Sequence, residues 1–437
     1  MDIPKFAQKV ADKLTQNGYE AYFVGGCVRD ALMGSVPHDF DITTNALPNQ
    51  IKECFSAFTT ILTGEKHGTV TVVSEGENVE VTTYRIDGKY EDGRHPVGVS
   101  FTKNVQNDLA RRDFTINAIC YNGEIVDPFG GREDIKNKII RTVGDADKRF
   151  GEDALRIMRA IRFAATLGFE IDEKTKESIH KNKRLLEKVS AERIFVEFSK
   201  LLMGDWAGKV LMEYYDVIGV FIPELLHCVG FDQKNDYHIY DVYEHIVKAV
   251  EASDKDLKIR LAVFFHDIGK PQCFTIDEKG GHFKGHDEKS ALIAGCVLKR
   301  LKADNETVRI VETLVKEHQR EIIPEKKYVK RCLSKLSYGV FDLLLKVKYA
   351  DTAAHSKKAE GNFAVIERLG EIRKEIEKDD ECISLKTLAV NGYDVMALGV
   401  HDGRKVGEIL NALLQMVIDG EIENEKEILK KAVKETL

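Results

Sequence analysis

The sequence predicts an α+β protein: a head in which a mixed sheet packs with helices, followed by an all-helical neck, body and tail. In residues 1–140, short runs rich in Val, Thr, Tyr and Phe alternate with turn residues, which is typical of strands. After about residue 145, apolar residues recur at helical spacing. All eight prolines lie at or before Pro324, so no proline interrupts the later helices.

The individual elements follow from these patterns. In the head, strands are predicted over 22–26, 38–43, 68–74 and 78–85, and a strand that enters a turn over 124–131. The stretch 154–169 predicts the first long helix beyond the head. A chain of 437 residues exceeds one domain of ordinary size. The predicted boundaries give a head (1–145), a neck (146–220), a body (221–360) and a tail (361–437).

Composition and charge exclude several classes of protein. With 43% hydrophobic and 31% charged residues the chain is globular, and its net charge of −7 argues against a generic polyanion binder. The longest apolar runs, such as 259–265, are far too short to span a membrane. None of the eight cysteines forms a CxxC pair, which argues against a zinc ribbon. We expect a cytoplasmic protein with no membrane partner; the sequence makes no prediction of its oligomeric state.

The stretch 25–44 carries the first chemical signal. Gly25 and Gly26 follow an apolar strand and precede a helix, where backbone N–H groups can approach a phosphate. Arg29 lies one turn into that helix, where it can meet a triphosphate. The alternative is an ordinary tight turn.

Two carboxylates follow this turn. Asp39 and Asp41 are separated by one residue in a predicted strand, so both side chains leave the same face. Such a pair is costly without a cation, and Mg²⁺ takes carboxylate and phosphate oxygens as ligands. Paired ions of this kind can activate a 3′-hydroxyl and stabilise a leaving pyrophosphate. The alternative is an exposed edge strand.

Together these motifs resemble the class II tRNA nucleotidyltransferases, which include the CCA-adding enzymes and bacterial poly(A) polymerases, within the polymerase-β-like superfamily. GGCVRD (25–30) and DFD (39–41) resemble the start of the family's head. Later motifs follow in the family's order: its flexible loop (85–101), its ribose-recognising motif DLARRDFTINA (108–118) and its nucleotide-selecting motif EDALRIMRAIRF (152–163).

The resemblance implies further site residues. It implies a third carboxylate on a downstream strand, for which Glu80 is the candidate, although Glu80 also fits an outward-facing strand position. It implies that Arg112 and Asp113 face the phosphate or ribose of the nucleotide. Residues 85–101 resemble a loop that is implicated, in the family, in the change from C to A addition. Here this stretch contains Arg85, Asp87, Asp92 and Arg94.

The nucleotide-selecting motif predicts how a base is chosen without a template. Asp153 and Arg156 offer an acceptor and a donor, which suit the amino group and neighbouring acceptor that cytosine and adenine share. With Arg159 and Arg162 they follow a spacing of three along one predicted helix side. Arg159 and Arg162 are expected to contact triphosphate or to hold Asp153. The alternative is a solvated face of ion pairs.

A second signal lies in the body, where HDIGK (266–270) follows an apolar helix and resembles the core of HD-type phosphohydrolases. The expected one-metal set is His245, His266, Asp267 and Asp351, and His286 and His318 could complete a second site. Imidazole and carboxylate ligands suit Mn, Ni, Co or Fe. The remaining histidines His238, His282 and His355 are expected at the surface.

The resemblance implies template-independent addition of CCA to the 3′ end of tRNA from CTP and ATP. The closest alternatives are a poly(A) polymerase and an enzyme that adds only A. Alternatives of other classes are an HD phosphodiesterase or phosphatase with an RNA-binding head, and a nucleotide sensor without catalysis. Two basic strips, 181–190 and 326–335, are candidate RNA contacts or solvated helix faces.

Overall fold

The structure of the chain is a computed structural model that describes residues 1–37, 39–88, 98–234, 239–278 and 280–436. The chain forms two compact units, Met1–Pro223 and Glu224–Leu437. The finer division into head, neck, body and tail stays a prediction. Within the described residues, no helix combines the length and apolar character needed to cross a membrane.

The first unit combines a sheet with helices, as predicted. Its strands are β1 (Ala21–Val24), β2 (Asp41–Thr44), β3 (Thr59–Ile61), β4 (Thr69–Ser74), β5 (Glu77–Thr83), β6 (Arg85–Asp87), β7 (Val99–Phe101), β8 (Cys120–Tyr121), β9 (Ile125–Val126), β10 (Ile139–Ile140) and β11 (Glu170–Ile171). Its helices are α1 (Lys5–Gln16), α2 (Gly26–Leu32), α3 (Pro48–Cys54), α4 (Val105–Ala110), α5 (Gly131–Asn137), α6 (Ala146–Glu152), α7 (Leu155–Leu167), α8 (Glu173–Asn182), α9 (Ala191–Leu202), α10 (Ala207–Glu213) and α11 (Tyr215–Ile218).

Among the described residues, seven strands form one mixed sheet in the order β3-β4-β5-β2-β1-β8-β9. β2 and β5 run parallel, and the other neighbours are antiparallel. β4 alternates along its length, and its inward residues Val70 and Val72 are fully buried with Val79 and Val81 of β5. The parallel register sets Asp41 directly beside Glu80 at the start of β2.

Two details of the first unit differ from the sequence prediction. β2 begins at Asp41, so Asp39 lies just before the strand. Helix α7 begins at Leu155, whereas Asp153 ends α6 with extended backbone (φ −140°, ψ 103°). Asp153 therefore does not lie on one continuous helix side with Arg156 and Arg159. A periodicity of three residues cannot detect a break of one or two residues between helices.

The second unit is mainly helical. Its helices are α12 (Val242–Ala252), α13 (Leu257–Phe265), α14 (Lys270–Cys273), α15 (His286–Arg300), α16 (Asn305–Glu317), α17 (Lys326–Leu336), α18 (Tyr338–Ala353), α19 (Gly361–Lys378), α20 (Gly392–Met396), α21 (Gly403–Asp419) and α22 (Lys426–Thr436). It also contains a two-stranded antiparallel pair, β12 (Thr275–Asp277) and β13 (Gly280–His282), which the sequence analysis did not predict. Glycine permits this pair, since a Cβ on Gly281 would lie 2.3 Å from the carbonyl oxygen of Gln233.

Helix α13 is the centre of this unit. Every residue from Ile259 to Phe265 is buried, which is typical of a helix enclosed on all sides. It contacts α12, α15, α16 and α18. Asp256 begins the helix by accepting backbone N–H bonds from Lys258 and Ile259, and His266 follows its last residue. The fold thus places His266 and Asp267 after the end of a buried helix that contacts four other helices.

Candidate active site

The Gly25–Gly26 turn lies against two guanidinium groups. Gly25 has a φ of +79°, which favours glycine, and a Cβ there would lie 3.2 Å from Arg112 Nη1. A Cβ on Gly26 would lie 3.7 Å from Arg29 Nη2. Both arginines therefore approach the turn that the sequence predicts to hold phosphate. Glycine lets the backbone and the two cations lie this close together.

Three carboxylates lie close together at the start of β2. Asp41 pairs in register with Glu80, and Asp39 precedes Asp41 by two residues. Burial and the carboxylate of Glu80 raise the pKa of Asp41 to about 6, with Asp39 adding to the rise and Arg112 opposing it. Repulsion of this kind is relieved by a cation, so the donor set fits a divalent ion with oxygen ligands.

A buried network connects the turn to helix α7. Arg29 Nη1 donates to Asn117 Oδ1 at 2.8 Å, and Asn117 Nδ2 donates to Asp113 Oδ1 at 3.1 Å. Asp113 Oδ2 accepts from Arg159 Nε at 2.7 Å. Burial alone would raise the pKa of Asp113, but Arg159 and the bond from Asn117 outweigh it and hold the pKa well below its usual range. Asn117 is a member of this network that the sequence analysis did not single out.

Asp153 and Arg156, the predicted base-reading pair, are each held by a different partner. Asp153 Oδ2 accepts from Arg193 Nη2 of α9 at 2.9 Å, and Asp153 Oδ1 accepts from the N–H of Leu155 at 3.1 Å. Arg156 Nη1 donates to Glu152 Oε2 at 2.8 Å, and its Nη2 donates to the carbonyl oxygen of Arg111 at 3.0 Å. The two side chains are therefore fixed independently.

The other two arginines of the motif bind neighbouring acids. Arg159 pairs with Asp113, and Arg162 Nε donates to Glu197 Oε2 of α9 at 2.9 Å. The guanidinium of Arg162 lies over the ring of Phe163, with 3.6 Å between Arg162 Cζ and the ring centroid. Arg159 and Arg162 were expected to contact triphosphate or to hold Asp153. The residue that binds the Asp153 carboxylate is Arg193 of α9, because Asp153 lies outside α7. Arg193 is 40 residues away in sequence, beyond the reach of a local pattern.

The second unit gathers the predicted metal ligands around Asp267. Asp267 Oδ1 lies 3.1 Å from His286 Nε2 and 3.8 Å from His318 Nε2. Asp267 Oδ2 lies 3.4 Å from His245 Nε2 and 3.3 Å from His266 Nε2. Each carboxylate oxygen thus faces its own pair of imidazoles.

Asp351 completes one side of this cluster. Its Oδ1 lies 3.0 Å from His245 Nε2 and 3.4 Å from His266 Nε2. His355 was expected at the surface, but it is half-buried and its Nδ1 lies 3.4 Å from the same Asp351 oxygen. One turn of α18 separates the two residues, and this i,i+4 spacing is the signal that could have found His355. His282 is exposed as expected, and His238 lies outside the described residues.

Backbone carbonyl groups near Nδ1 fix the orientation of the imidazole rings. In each case Nδ1 lies within hydrogen-bond distance of a backbone carbonyl: 2.6 Å at Val263 for His266, 2.7 Å at Phe283 for His286 and 2.6 Å at Val315 for His318. His245 Nδ1 lies 3.3 Å from the carbonyl of Ala354. A backbone acceptor at Nδ1 leaves Nε2 as the ligand atom, as in metal-binding histidines.

The buried atoms of the cluster fit a cation. Both Asp267 oxygens and Nε2 of His286 and His318 are buried, yet none forms a hydrogen bond of good geometry within the described part of the chain. Burial would raise the pKa of Asp267, but His266 and Lys270 outweigh it and hold the pKa well below its usual range. Burial and the nearby His266 lower the pKa of His318 to about 3. Burial would lower the pKa of His266, but Asp267 and Asp351 outweigh it and raise the pKa to about 10, so a metal bound there would displace a proton. Carboxylate oxygens and imidazole nitrogens form a donor set for a transition metal.

Some basic residues of the two strips that were candidate RNA contacts form ion pairs within the protein. In 326–335, Lys326 and Lys330 pair with Glu381, and Arg331 makes two bonds of 2.8 Å to Asp419. In 181–190, Lys183 pairs with Asp216. RNA contact by these strips stays a prediction. Of the loop 85–101, residues 89–97, with Asp92 and Arg94, lie outside the described residues.

Three family models match successive parts of the chain. Residues 21–141 match the poly A polymerase head domain, residues 168–228 match the probable RNA and SrmB-binding site of polymerase A, and residues 290–433 match the putative domain 2 of tRNA nucleotidyltransferase. The first match contains the glycine turn, the three carboxylates, Asp113 and Asn117, whereas Arg159 lies beyond its last residue.

Known proteins resemble the chain over about half or nearly all of its length. The CCA-adding enzyme of Ligilactobacillus salivarius is 34% identical over 99% of this chain and 96% of its own. The enzyme of the same name from Geobacillus stearothermophilus is 52% identical over 46% of this chain and 50% of its own. A crystal structure of the Bacillus stearothermophilus CCA-adding enzyme in complex with CTP superposes with a TM-score of 0.75, at 32% identity, covering 100% of this chain and 98% of that one.

Proposed function

The chain belongs to the family of CCA-adding enzymes and poly(A) polymerases, and we propose from this premise that it adds C, C and A to the 3′ end of tRNA without a template. CTP and ATP are the nucleotide substrates, and pyrophosphate is the product. The complex of a similar enzyme with CTP supports this proposal, as does the full-length similarity to CCA-adding enzymes. The cytoplasmic location expected from the sequence stays a prediction.

The observation that carries the proposal is the convergence of Asp39, Asp41 and Glu80 beside the Gly25–Gly26 turn. Nucleotidyl transfer needs a divalent cation, and we assign Mg²⁺ to these carboxylates. When bound, Mg²⁺ polarises the phosphate and favours the deprotonated 3′-hydroxyl. The guanidinium groups of Arg29 and Arg112 bind the triphosphate and neutralise charge that develops on the departing pyrophosphate.

The neighbouring residues supply orientation and base choice. Asp113 and Asn117 hold Arg29 and Arg159 at the end of the site that faces the sugar and phosphates. Asp153 accepts from the exocyclic amino group of cytosine or adenine, and Arg156 donates to the adjacent ring acceptor. Guanine and uracil present the opposite order at this edge, so their donors and acceptors do not match those of Asp153 and Arg156.

The test is a pair of conservative substitutions. Asp41→Asn should abolish addition of both C and A while binding of tRNA persists, because one metal site serves both reactions. Asp12→Asn, an exposed acid of α1, is the matched control and should retain both activities. A folded Asp41→Asn protein that still added C at the normal rate would contradict a shared site.

A second function is supported by the Asp267 cluster. We propose that His245, His266, Asp267 and Asp351 bind one transition metal, Mn, Ni, Co or Fe, and that His286 and His318 bind a second with Asp267 shared between them. The convergence of these buried ligand atoms carries this proposal, and Lys270 Nζ lies 2.7 Å from Asp267 Oδ2. A metal held there would activate water for hydrolysis of a phosphate ester. Elemental analysis of the purified protein tests it: metal bound by the native chain should be absent from His318→Ala with Asp267→Asn.

A further inference from the structure

The aromatic ring of Phe163 lies among three guanidinium groups of the first unit. Its centroid is 3.6 Å from Cζ of Arg162, 5.0 Å from Cζ of Arg29 and 5.4 Å from Cζ of Arg159. Phe163 is 4% exposed, so little water reaches the ring. The electron-rich face of a ring attracts a guanidinium within about 6 Å, and more strongly where water is excluded. Phe163 therefore attracts three cations to one place.

These cations reach the ring from two parts of the chain. Arg159 precedes Phe163 by one turn of α7, so helix geometry brings these two side chains together. Arg29 belongs to α2, far earlier in the sequence, and meets the ring through a tertiary contact. The ring is held by the fully buried Phe114, which lies edge to face against it with 5.8 Å between the ring centroids. Phe163 thus connects α2, which begins in the glycine turn, with α7.

Arg29 is the cation of this group that lies beside the glycine turn. A Cβ on Gly26 would lie 3.7 Å from Arg29 Nη2. Arg29 Nε donates to Asp30 Oδ1 at 2.8 Å, and its Nη1 donates to Asn117. Such bonds use N–H groups, which are also the donors to phosphate oxygens. The attraction of a ring face uses no N–H group, so Phe163 holds the guanidinium without competing with a phosphate.

The other two guanidinium groups have carboxylate partners that fix them without the ring. Arg159 pairs with Asp113, and Arg162 pairs with Glu197. Burial, together with the nearby charge of Arg159, lowers the pKa of Arg162, whereas Glu197 opposes this. We therefore expect the direction of Arg29 to depend on the ring more than those of Arg159 and Arg162.

We propose that Phe163 is a positioning residue for the triphosphate, and that its ring holds Arg29 in the direction in which the guanidinium meets the phosphate groups. This inference rests on the nucleotide binding proposed above and adds a residue to it. Phe163 acts through Arg29 and not by contact with the nucleotide. Because the phosphates are common to all four nucleotides, Phe163 contributes to affinity, whereas Asp153 contributes to base choice.

The experiment replaces Phe163 in the full-length protein with phenylalanine that carries one, two or three fluorine atoms. Fluorine withdraws negative charge from the ring face and changes the size of the ring little, so the series weakens the attraction for cations stepwise. Equilibrium dialysis with Mg²⁺ and labelled CTP measures the affinity for CTP, and competition measures those for pyrophosphate and cytidine. The same series at Phe55, a fully buried ring that packs edge to face against Phe58, is the matched control.

The affinities for CTP and pyrophosphate should fall with each fluorine, by roughly tenfold over the series, while the affinity for cytidine stays the same. Phe163→Leu, which lacks the ring face, should lose affinity to a similar extent; if this variant does not fold, the fluorinated proteins decide the question. An unchanged affinity for CTP over the series, an equal loss for cytidine, or the same loss in the Phe55 series would overturn the proposal.

Extension of tRNA by the same proteins separates this inference from the proposed function. A native chain that binds CTP but adds no C contradicts the proposed function alone. A chain that adds C, C and A, and whose affinity for CTP does not respond to fluorination of Phe163, contradicts the role of Phe163 alone.

Discussion

The carboxylate of Asp153 is bound by the guanidinium of Arg193, with 2.9 Å between Asp153 Oδ2 and Arg193 Nη2. Asp153 follows the end of α6 and Arg193 lies in α9, and both side chains are largely shielded from solvent. Asp153 lies where the backbone is extended between α6 and α7, so no helix geometry fixes its side chain. Arg193, with the N–H of Leu155, therefore sets the direction of the carboxylate that we assign to base recognition.

Asp153→Ala should relax base choice without removing the chemistry. A good bidentate contact to a base is worth roughly 1–3 kcal/mol of discrimination. The preference for CTP over UTP should therefore fall by about one to two orders of magnitude. The measurement is kcat/KM for the four nucleotides on tRNA lacking CCA. If the variant is slower with CTP but still rejects UTP completely, the assignment of Asp153 to base reading is wrong.

Arg193→Gln should reproduce part of this effect, although we do not place Arg193 in contact with the nucleotide. Loss of the guanidinium frees the Asp153 carboxylate to rotate, so the CTP/UTP ratio should fall while KM for pyrophosphate in the reverse reaction stays the same. Arg193→Lys should restore part of the ratio, and Arg132→Gln, at an exposed position, should have no effect. An equal loss of kcat/KM with all four nucleotides would instead show that the substitution impairs the whole active site and not base choice.

The Asp267 cluster should be separable from nucleotide addition. His266→Ala with Asp267→Asn should remove bound transition metal and any phosphate-ester hydrolysis, because both proposed metal sites use Asp267. Addition of C and A should remain largely unchanged, since its residues lie in the other compact unit. The comparison requires a variant with an unchanged circular dichroism spectrum. Loss of CCA addition in such a folded variant would show that the second unit is needed for placement of tRNA.

Gly168, which ends helix α7, should resist substitution. It has a φ of +68°, and a Cβ there would lie 2.5 Å from the ring of Trp206. Gly168→Ala should lower the free energy of unfolding by about 1–3 kcal/mol, as expected for a left-handed alanine with a steric contact. Urea unfolding followed by fluorescence of Trp206, the single tryptophan of the chain, measures this.

The control for Gly168 is Gly151 in α6, where a Cβ would meet no atom within 4 Å. Gly151→Ala should raise the free energy of unfolding by roughly 0.5–1 kcal/mol, because it restricts the unfolded chain and favours the helix. A Gly168→Ala protein as stable as the Gly151→Ala protein would contradict the steric argument.

Local patterns were sufficient for the parts of the site that lie close together in sequence. The glycine turn follows from turn chemistry, whereas of the Asp39–Asp41 pair only Asp41 lies in the strand that the alternation predicted. The position of Glu80 was implied by the family resemblance, and the parallel pairing of β2 with β5 places it beside Asp41. The HD ligands were predicted from the resemblance to HD-type phosphohydrolases and from residue order, and helices around α13 bring them together.

The parts that were missed depend on tertiary contacts. Arg193 contacts Asp153 only because α9 packs on the side of α7, and no sequence spacing encodes that distance. Asn117 was not singled out in the sequence analysis, yet it joins Arg29 to Asp113. His355 was expected at the surface, whereas it lies against His245, with ring centroids 4.7 Å apart.

The central claim is that one protein site adds C, C and A in order and then stops, and extension of end-labelled tRNA lacking CCA tests it most directly. CTP alone should add two residues, ATP alone should add none, and the two together should give a single CCA product. UTP and GTP should add nothing. Long homopolymeric A tails with ATP alone would contradict the account and identify the chain as a poly(A) polymerase.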